Sequence, residues 1–141
     1  MPDNYINLYV HLVWATWDRA PLLIDRYEWE VQAAIKTSAA STGADVLAIG
    51  GMPDHVHLLT SLPSTIALSE FVKTIKGTSS HLANHALGFG GGFKWQGSYA
   101  CFGVSEDGIP HVRSYIAHQR EHHDGGTLDS NLEIDHPCLH P

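Results

Sequence analysis

The order of the predicted secondary-structure elements indicates an α+β fold built on an antiparallel sheet. Three observations support this prediction: an alternating strand pattern near the amino terminus, two strand patterns separated by a connection of hairpin length, and three stretches with helical apolar spacing. In chain order the elements are strand, helix, strand, strand, helix, strand and helix. The first six match the βαββαβ order of ferredoxin-like folds, with helices packed on one face of the sheet, and the seventh is an appended C-terminal helix.

The first strand is predicted at residues 5–16, where apolar residues occupy every second position up to Trp14. A helix then begins near Asp25, with Glu28 three residues later as a capping-box candidate. Gly43 is predicted to end this helix, because glycine accepts the left-handed conformation that commonly follows a helix.

Two strands are predicted at residues 44–50 and 55–62, on either side of the turn-forming segment 50–54. A second helix begins at residues 63–65, and its apolar stripe continues beyond an interruption at Gly77.

The glycine-rich segment 88–92 is predicted to be a flexible loop. A strand follows at residues 93–105, and segment 106–110 forms a turn into the last helix, where Pro110 suits the first turn. Gly125 and Gly126 are expected to end that helix.

Length and composition indicate one domain over residues 1–125, followed by an irregular tail at 126–141. No apolar run approaches the roughly 18 residues that suggest a membrane span, and the amino terminus has no secretory signal pattern. Cys101 and Cys138 lie far apart, in no spacing typical of a zinc or redox site. We therefore expect reduced thiols in a cytoplasmic protein that has no membrane partner.

The net charge of −7 disfavours a nucleic-acid partner, because phosphate-binding proteins are usually basic. The acidic residues, however, are concentrated towards the two ends of the chain. Residues 71–105 contain Lys73, Lys76 and Lys94 but no Asp or Glu. A local positive surface is therefore compatible with the acidic composition.

His55 and His57 are candidate metal ligands. On a strand, residues two positions apart project from the same face, and two neutral imidazoles suit Zn, Mn, Fe, Co or Ni while leaving positions open for a substrate. In a chain with 11 histidines, however, a His-x-His pattern is expected about once by chance. The alternative is a pair of polar residues on the solvent face of a half-buried strand.

Tyr115 and Gln119 lie four residues apart and would share one face of the last helix. A tyrosine can act as a nucleophile when a nearby cation polarises the electrophile, and the Gln119 carbonyl oxygen could bind that cation. The alternative is a core or rim tyrosine whose hydroxyl group contacts water.

Other histidine pairs have simpler explanations. His118 and His122 are four residues apart, but a metalloprotease helix would carry Glu where this chain has Gln119. Cationic or capping side chains near a helix C-terminus are the ordinary interpretation. The remaining pairs are expected to be solvated or incidental: His81 with His85, and His136 with His140.

Five segments, taken in order, resemble the single-tyrosine HUH transposases of the insertion-sequence-200-like (IS200-like) family. They are HLVWAT at 11–16, MPDHVHLL at 52–59, FVKTIKGTSS at 71–80, WQGSY at 95–99 with VS at 104–105, and YIAHQREHH at 115–123. The segments span most of the predicted domain, and their order is far more specific than any single motif.

The resemblance implies a ferredoxin-like homodimer that cleaves and rejoins single-stranded DNA at insertion-sequence ends. By this analogy, His55, His57 and Gln119 hold a divalent metal ion, Mg²⁺ or Mn²⁺, and His118 remains an alternative to Gln119. Tyr115 attacks the scissile phosphate and forms a 5′-phosphotyrosine. The covalent link conserves the phosphoester bond energy, so no nucleotide cofactor is expected.

The implied partner is single-stranded DNA that contains a hairpin. Candidate phosphate contacts are Lys73, Lys76, Lys94, Arg113 and Arg120. Trp95 or Tyr99 could stack on an unpaired base, although aromatic residues on strands more often belong to a core.

Two other hypotheses remain open at this stage. One is a domesticated or inactive relative that binds hairpin single-stranded DNA without cleaving it. The other is an unrelated metallohydrolase that uses His-x-His with water as the nucleophile, in which case Tyr115 would be dispensable.

Overall fold

A computed structural model describes residues 5–119 of the chain. Four strands form one antiparallel sheet in the order β2-β3-β1-β4: β1 (Tyr9–Ala15), β2 (Val46–Met52), β3 (His55–Ser61) and β4 (Ala100–Val104). The helices are α1 (Arg26–Ser41), α2 (Leu68–Ala86) and α3 (Ile109–Ala117). The predicted α+β fold and the order of its elements are confirmed.

Both faces of the sheet are covered by helices. Leu12 and Trp14 of β1 belong to the core that α1 and α2 form on one face. On the opposite face, Leu59 of β3 packs with Val112 and Ile116 of α3. The central strands β1 and β3 are therefore buried on both sides, and β3 has no solvent face.

Several predicted boundaries move because tertiary contacts decide them. The first strand begins at Tyr9, and the apolar side chains before it are exposed: Tyr5, Ile6 and Leu8. Gly43, with a φ of 94°, follows the end of α1 as predicted. The predicted capping box is wrong, because Asp25 has a φ of 54° and its side chain makes no capping hydrogen bond to the helix.

Helix α2 begins at Leu68 and continues through Gly77, so the predicted interruption is wrong. A Cβ atom at Gly77 would meet no atom within 4 Å, and a helix tolerates one exposed glycine at a cost of about 1 kcal/mol relative to alanine. The packing of the apolar face of α2 against the core outweighs the low helix propensity of this glycine.

The glycine-rich loop after α2 is anchored by the Asn84 carboxamide. Its oxygen accepts hydrogen bonds from the backbone N–H groups of Gly91 (3.0 Å) and Phe93 (2.8 Å), and its nitrogen donates to the Phe93 carbonyl (2.9 Å). The last strand is shorter than the predicted 93–105, and Trp95 instead forms an isolated bridge with Thr16.

The β2–β3 hairpin places the histidines beside the last helix. The strands are joined by Pro53 and Asp54, a tighter turn than the predicted segment 50–54. Gly50, which pairs with His57, lies directly under α3, because a Cβ atom there would stand 2.7 Å from the Ile116 carbonyl oxygen.

Some predictions fall on residues outside the described range. These include the helix extension to residue 125, the tail at 126–141, Cys138 and Arg120, and they stay predictions. Among residues 5–119, no helix has the length and apolar character needed to cross a membrane.

Candidate active site

His55 and His57 project from β3 towards the α3 side of the sheet. Their exposed fractions are 1% and 0%, and their ring centroids lie 5.2 Å apart. Helix α3 covers this face, so the alternative of two solvated polar residues does not hold. Two imidazoles buried side by side on a central strand form a rigid pair of potential ligands.

Asp54 fixes the ring of His55. Its Oδ1 atom lies 2.8 Å from His55 Nδ1, and its Oδ2 atom accepts a hydrogen bond from Arg19 Nε at 2.9 Å. The hydrogen bond with His55, aided by Arg19, holds the pKa of Asp54 well below its usual range despite partial burial. Because the carboxylate can only accept, the Nδ1–H group of His55 donates this hydrogen bond, and in the neutral form of such a ring Nε2 carries the lone pair.

The Arg19 guanidinium reaches Asp54 from an unusual backbone turn. Asp18 and Arg19 have φ values of 56° and 54°, in the left-handed region that residues other than glycine rarely adopt. Thr16 supports the turn, because its hydroxyl donates to the carbonyl oxygens of Ala20 (2.7 Å) and Asp54 (3.2 Å). The loop after β1 is thereby tied to the turn before His55.

His11 is a residue that the sequence analysis did not single out. It is fully buried on β1, its Nε2 atom lies 2.8 Å from His57 Nδ1, and the two rings stack with centroids 5.1 Å apart. In the sequence, His11 occupies the strand face opposite to that of the alternating apolar residues such as Leu12. This position indicates a role near His57 only once the sheet order is known to place β1 beside β3.

Helix α3 brings Tyr115 to the same side of the sheet. The ring of Tyr115 is 4% exposed, and its centroid lies 6.1 Å from that of His57 in the same chain. Three of the predicted catalytic and metal-binding residues therefore lie together: His55, His57 and Tyr115.

Helix α3 ends at Ala117, and helical backbone resumes at Gln119 after a break at His118, so Tyr115 and Gln119 do not share the one uninterrupted helix that the sequence predicts. The side chain of Gln119 is nevertheless 3% exposed, and Nε2 lies 3.4 Å from the Tyr115 carbonyl oxygen, to which it donates. Gln119 also lines a pocket of about 280 Å³ with Gly50, the partner of His57 on β2. His118 is exposed, and its Nδ1 atom lies 2.7 Å from the Ser114 carbonyl oxygen.

The chemistry of these donors suits a divalent metal ion. Within residues 5–119, no three His, Cys, Asp or Glu side chains form a metal-binding cluster, and the Gln119 carboxamide is a candidate third donor of another type. His55 Nε2, His57 Nε2 and Gln119 Oε1 are all buried atoms. Two imidazole nitrogens and one amide oxygen suit Mn²⁺, Co²⁺ or Zn²⁺ more readily than Mg²⁺, which prefers oxygen ligands.

Comparison with known proteins agrees with the predicted resemblance. The family model for IS200-like transposases matches residues 4–119. The chain belongs to the IS200-like transposase family. It is 32% identical over 120 residues to the ISDra2 transposase TnpA of Deinococcus radiodurans, an alignment that covers 82% of this chain and 86% of that protein.

Two solved structures share the fold of this transposase. A crystal structure described as a transposase from Deinococcus radiodurans R1 has 30% sequence identity and a TM-score of 0.66, over 84% of this chain and 96% of that one. A REP-associated tyrosine transposase bound to a REP hairpin has 16% identity and a TM-score of 0.64, over 87% of this chain and 74% of that one.

Five of the predicted DNA contacts of the transposase line one pocket of about 440 Å³ between α2 and the segment before β4. They are Lys73, Lys76, Lys94, Trp95 and Tyr99. The ammonium group of Lys76 already makes hydrogen bonds within the protein: its Nζ atom donates to the carbonyl oxygens of Gln96 (2.8 Å) and Ser98 (2.9 Å). Burial lowers the pKa of Lys76 to about 8, so its charge is only partly lost near neutral pH.

The two aromatic candidates differ in accessibility. Trp95 is 6% exposed, and its indole N–H donates to the Ser79 hydroxyl at 2.9 Å, so its ring is part of the core. Tyr99 is only partly buried, with Lys76 Nζ 5.8 Å from its ring centroid, and it is better placed to contact a base. Arg113 is exposed on α3 and does not line this pocket.

Trp17 is a second residue that the sequence analysis missed. Its side chain is 51% exposed, and Lys94 Nζ lies 4.0 Å from its ring centroid. An exposed tryptophan ring beside a lysine of the basic pocket offers a face on which an unpaired base could stack. The sequence around Trp17 did not indicate this position, because Trp17 and Lys94 are distant in the chain and meet only in the folded structure.

Proposed function

We propose that this transposase cleaves and rejoins single-stranded DNA through a covalent link to Tyr115, with a divalent metal ion. The observation that carries the proposal is the position of the Tyr115 ring, 6.1 Å from His57 on the buried face that also holds His55. Family membership supports an enzyme that acts on DNA, and the geometry supplies a nucleophile beside two potential ligands.

In the cleavage step, the Tyr115 phenolic oxygen forms a bond to phosphorus and loses its proton. The bond from phosphorus to the 3′ oxygen breaks, and that oxygen takes up a proton to become a free 3′-hydroxyl group. The products are a 5′-phosphotyrosine and a 3′ end. Rejoining reverses these changes when a 3′-hydroxyl attacks the phosphotyrosine, so no nucleotide cofactor is required.

A phenol is a weak nucleophile at neutral pH, and the site has to compensate for this. A divalent ion, when bound, would polarise the nonbridging oxygens of the scissile phosphate. His55 and His57 would hold it through their Nε2 atoms, with Gln119 as the third protein ligand. The ring of His55 is oriented for this role by Asp54, which lies 2.8 Å from Nδ1.

The DNA would follow the basic pocket that Lys73, Lys76 and Lys94 line. These lysines provide positive charge on an otherwise acidic protein, and Tyr99 and Trp17 provide rings for unpaired bases. We infer hairpin-containing DNA as the partner, since a structural relative is bound to a REP hairpin.

We also infer a homodimer, which light scattering in solution would test.

The decisive experiment is to incubate the protein with a hairpin-bearing single strand and Mn²⁺ or Mg²⁺, then to denature the mixture and detect a covalent protein–DNA adduct. The adduct should be absent in Tyr115→Phe. It should persist in Tyr27→Phe, whose ring packs against Phe89 and the core on the other face of the sheet. Binding without an adduct would support the inactive relative, and cleavage that survives Tyr115→Phe would refute the tyrosine mechanism.

A further inference from the structure

His11 lies behind His57 on the neighbouring central strand. We propose that His11 is a positioning residue: its Nε2 atom accepts a hydrogen bond from the Nδ1–H group of His57, which leaves the lone pair of His57 on Nε2, the atom proposed to bind the metal ion. The metal part of this inference rests on the proposed function. The hydrogen bond itself does not, because it is a property of the folded chain.

The contact is held by the backbone of the sheet. In the β1–β3 register, His11 pairs with Leu59 and Val13 pairs with His57, so the two histidines are diagonal neighbours on one face. Their nitrogens lie 2.8 Å apart, and both side chains are fully buried. A neutral imidazole has one donor and one acceptor nitrogen, so this bond joins a donor on one ring to an acceptor on the other.

Two arrangements satisfy the bond. Either His57 donates from Nδ1 and keeps its lone pair on Nε2, or His11 donates to Nδ1 of His57, whose single N–H proton is then on Nε2. Only the first leaves His57 able to bind a metal ion through Nε2, since protonated nitrogens do not ligate. The bond made by the second ring nitrogen of a ligand histidine is the usual device that fixes its tautomer.

His55 shows the same arrangement with a different partner. Its Nδ1 atom is held by the Asp54 carboxylate at 2.8 Å, a distance equal to that between His11 and His57. Both rings of the pair are thus restrained at Nδ1. The partner of His55 is a carboxylate and the partner of His57 is an imidazole ring, so His11 restrains the geometry without placing a second negative charge beside the site.

A purely structural role for His11 predicts that any ring of similar size will serve. Its ring also lies 5.8 Å from that of Phe102, so His11→Phe would preserve aromatic packing while removing the acceptor. His11→Gln would keep a side-chain oxygen able to accept from His57. His85→Gln, on the exposed end of α2, is a matched control for the loss of one histidine.

The first measurement needs neither metal nor DNA. Long-range ¹H–¹⁵N spectra of the imidazole nitrogens at pH 8 should show His57 of the wild-type protein protonated at Nδ1. They should show a mixture of tautomers in His11→Phe and the wild-type signal in His11→Gln and His85→Gln. A wild-type His57 protonated at Nε2 overturns the inference, whether or not any variant folds.

The second measurement is Mn²⁺ binding by calorimetry. We expect affinity to fall about 10- to 100-fold in His11→Phe, to recover to within a few-fold of wild type in His11→Gln, and to be unchanged in His85→Gln. Wild-type affinity in His11→Phe would refute the positioning role. A wild-type protein that shows the Nδ1 tautomer but binds no Mn²⁺ would refute the proposed metal dependence and leave the His11–His57 bond established.

Discussion

Gly50→Ala tests whether the position of α3 controls the proposed chemistry. The added Cβ atom would stand 2.7 Å from the Ile116 carbonyl oxygen and 3.0 Å from Ile116 Cγ2. Unstrained nonbonded contacts of a carbon atom begin near ~3.5 Å, so α3 has to move away from β2 by roughly 0.8 Å. The closest obstacle is a backbone atom, which no side-chain rotation can move out of the way.

The retreat would displace Tyr115, which precedes Ile116 on α3. Overpacking of this kind typically costs about 1–3 kcal/mol of stability. A displacement of about 1 Å in a reacting group can reduce the rate roughly 100-fold, because the reacting atoms lose their alignment. We therefore expect adduct formation to slow by about 10- to 100-fold, with Mn²⁺ affinity changed much less, since the β3 histidines stay in place.

The assay is single-turnover adduct formation at saturating DNA, with urea unfolding of the same preparations. Gly103→Ala is the matched control, because it is also a strand glycine but a Cβ atom there meets nothing within 4 Å. Wild-type adduct rate and stability in Gly50→Ala would refute the close contact between β2 and α3. If Gly103→Ala lowered the adduct rate and the stability as much as Gly50→Ala does, the effect would not be specific to the contact between Gly50 and α3.

Three further predictions concern the electrostatics and the DNA surface. Burial lowers the pKa of Lys76 to about 8, so its ammonium charge is present below that pH and lost above it; DNA affinity should weaken between pH 7 and 9, and Lys76→Met should flatten this profile in a fluorescence anisotropy titration. Asp54→Asn removes the anion beside His55 and should lower Mn²⁺ affinity about tenfold by calorimetry, while Arg19→Lys, which retains a positive charge, should change it less. Trp17→Ala should weaken binding of single-stranded DNA by roughly 5- to 30-fold, as expected for about 1–2 kcal/mol of lost stacking. Trp29→Ala should not, because the more exposed ring of Trp29 lies on α1, away from the basic pocket; equal losses in the two tryptophan variants would argue against a stacking role for Trp17.

Local sequence patterns predicted the helices and strands of this fold and the strand face on which His55 and His57 lie. The alternation around Leu12 located β1, and the two-residue spacing correctly placed His55 and His57 on one strand face. The helix interruption predicted at Gly77 is wrong, because helix propensity is a weak contribution that the packing of the rest of α2 outweighs.

The features that the sequence did not reveal all depend on contacts between distant segments. His11 became a candidate only when β1 was seen beside β3, and the burial of His57 depends on α3, which folds back over the sheet from about sixty residues later in the chain. Trp17 became a candidate for base stacking only through its contact with Lys94, which the loop before β4 places over its ring. A single sequence shows no pairing between segments, so these relations needed the tertiary structure.

The proposed metal ligands and the proposed nucleophile are held by different parts of the fold. His55 and His57 lie on β3, which is hydrogen-bonded to a strand on each side, and their rings are restrained at Nδ1 by Asp54 and His11. Tyr115 lies on a helix that rests against Gly50, outside that hydrogen-bonded sheet. Changes at His11 or Asp54 should therefore act first on metal affinity, whereas a change at Gly50 should act first on the rate of attack. If the two kinds of variant instead altered both quantities in the same proportion, the histidines and the tyrosine helix would have to be regarded as one mechanical unit.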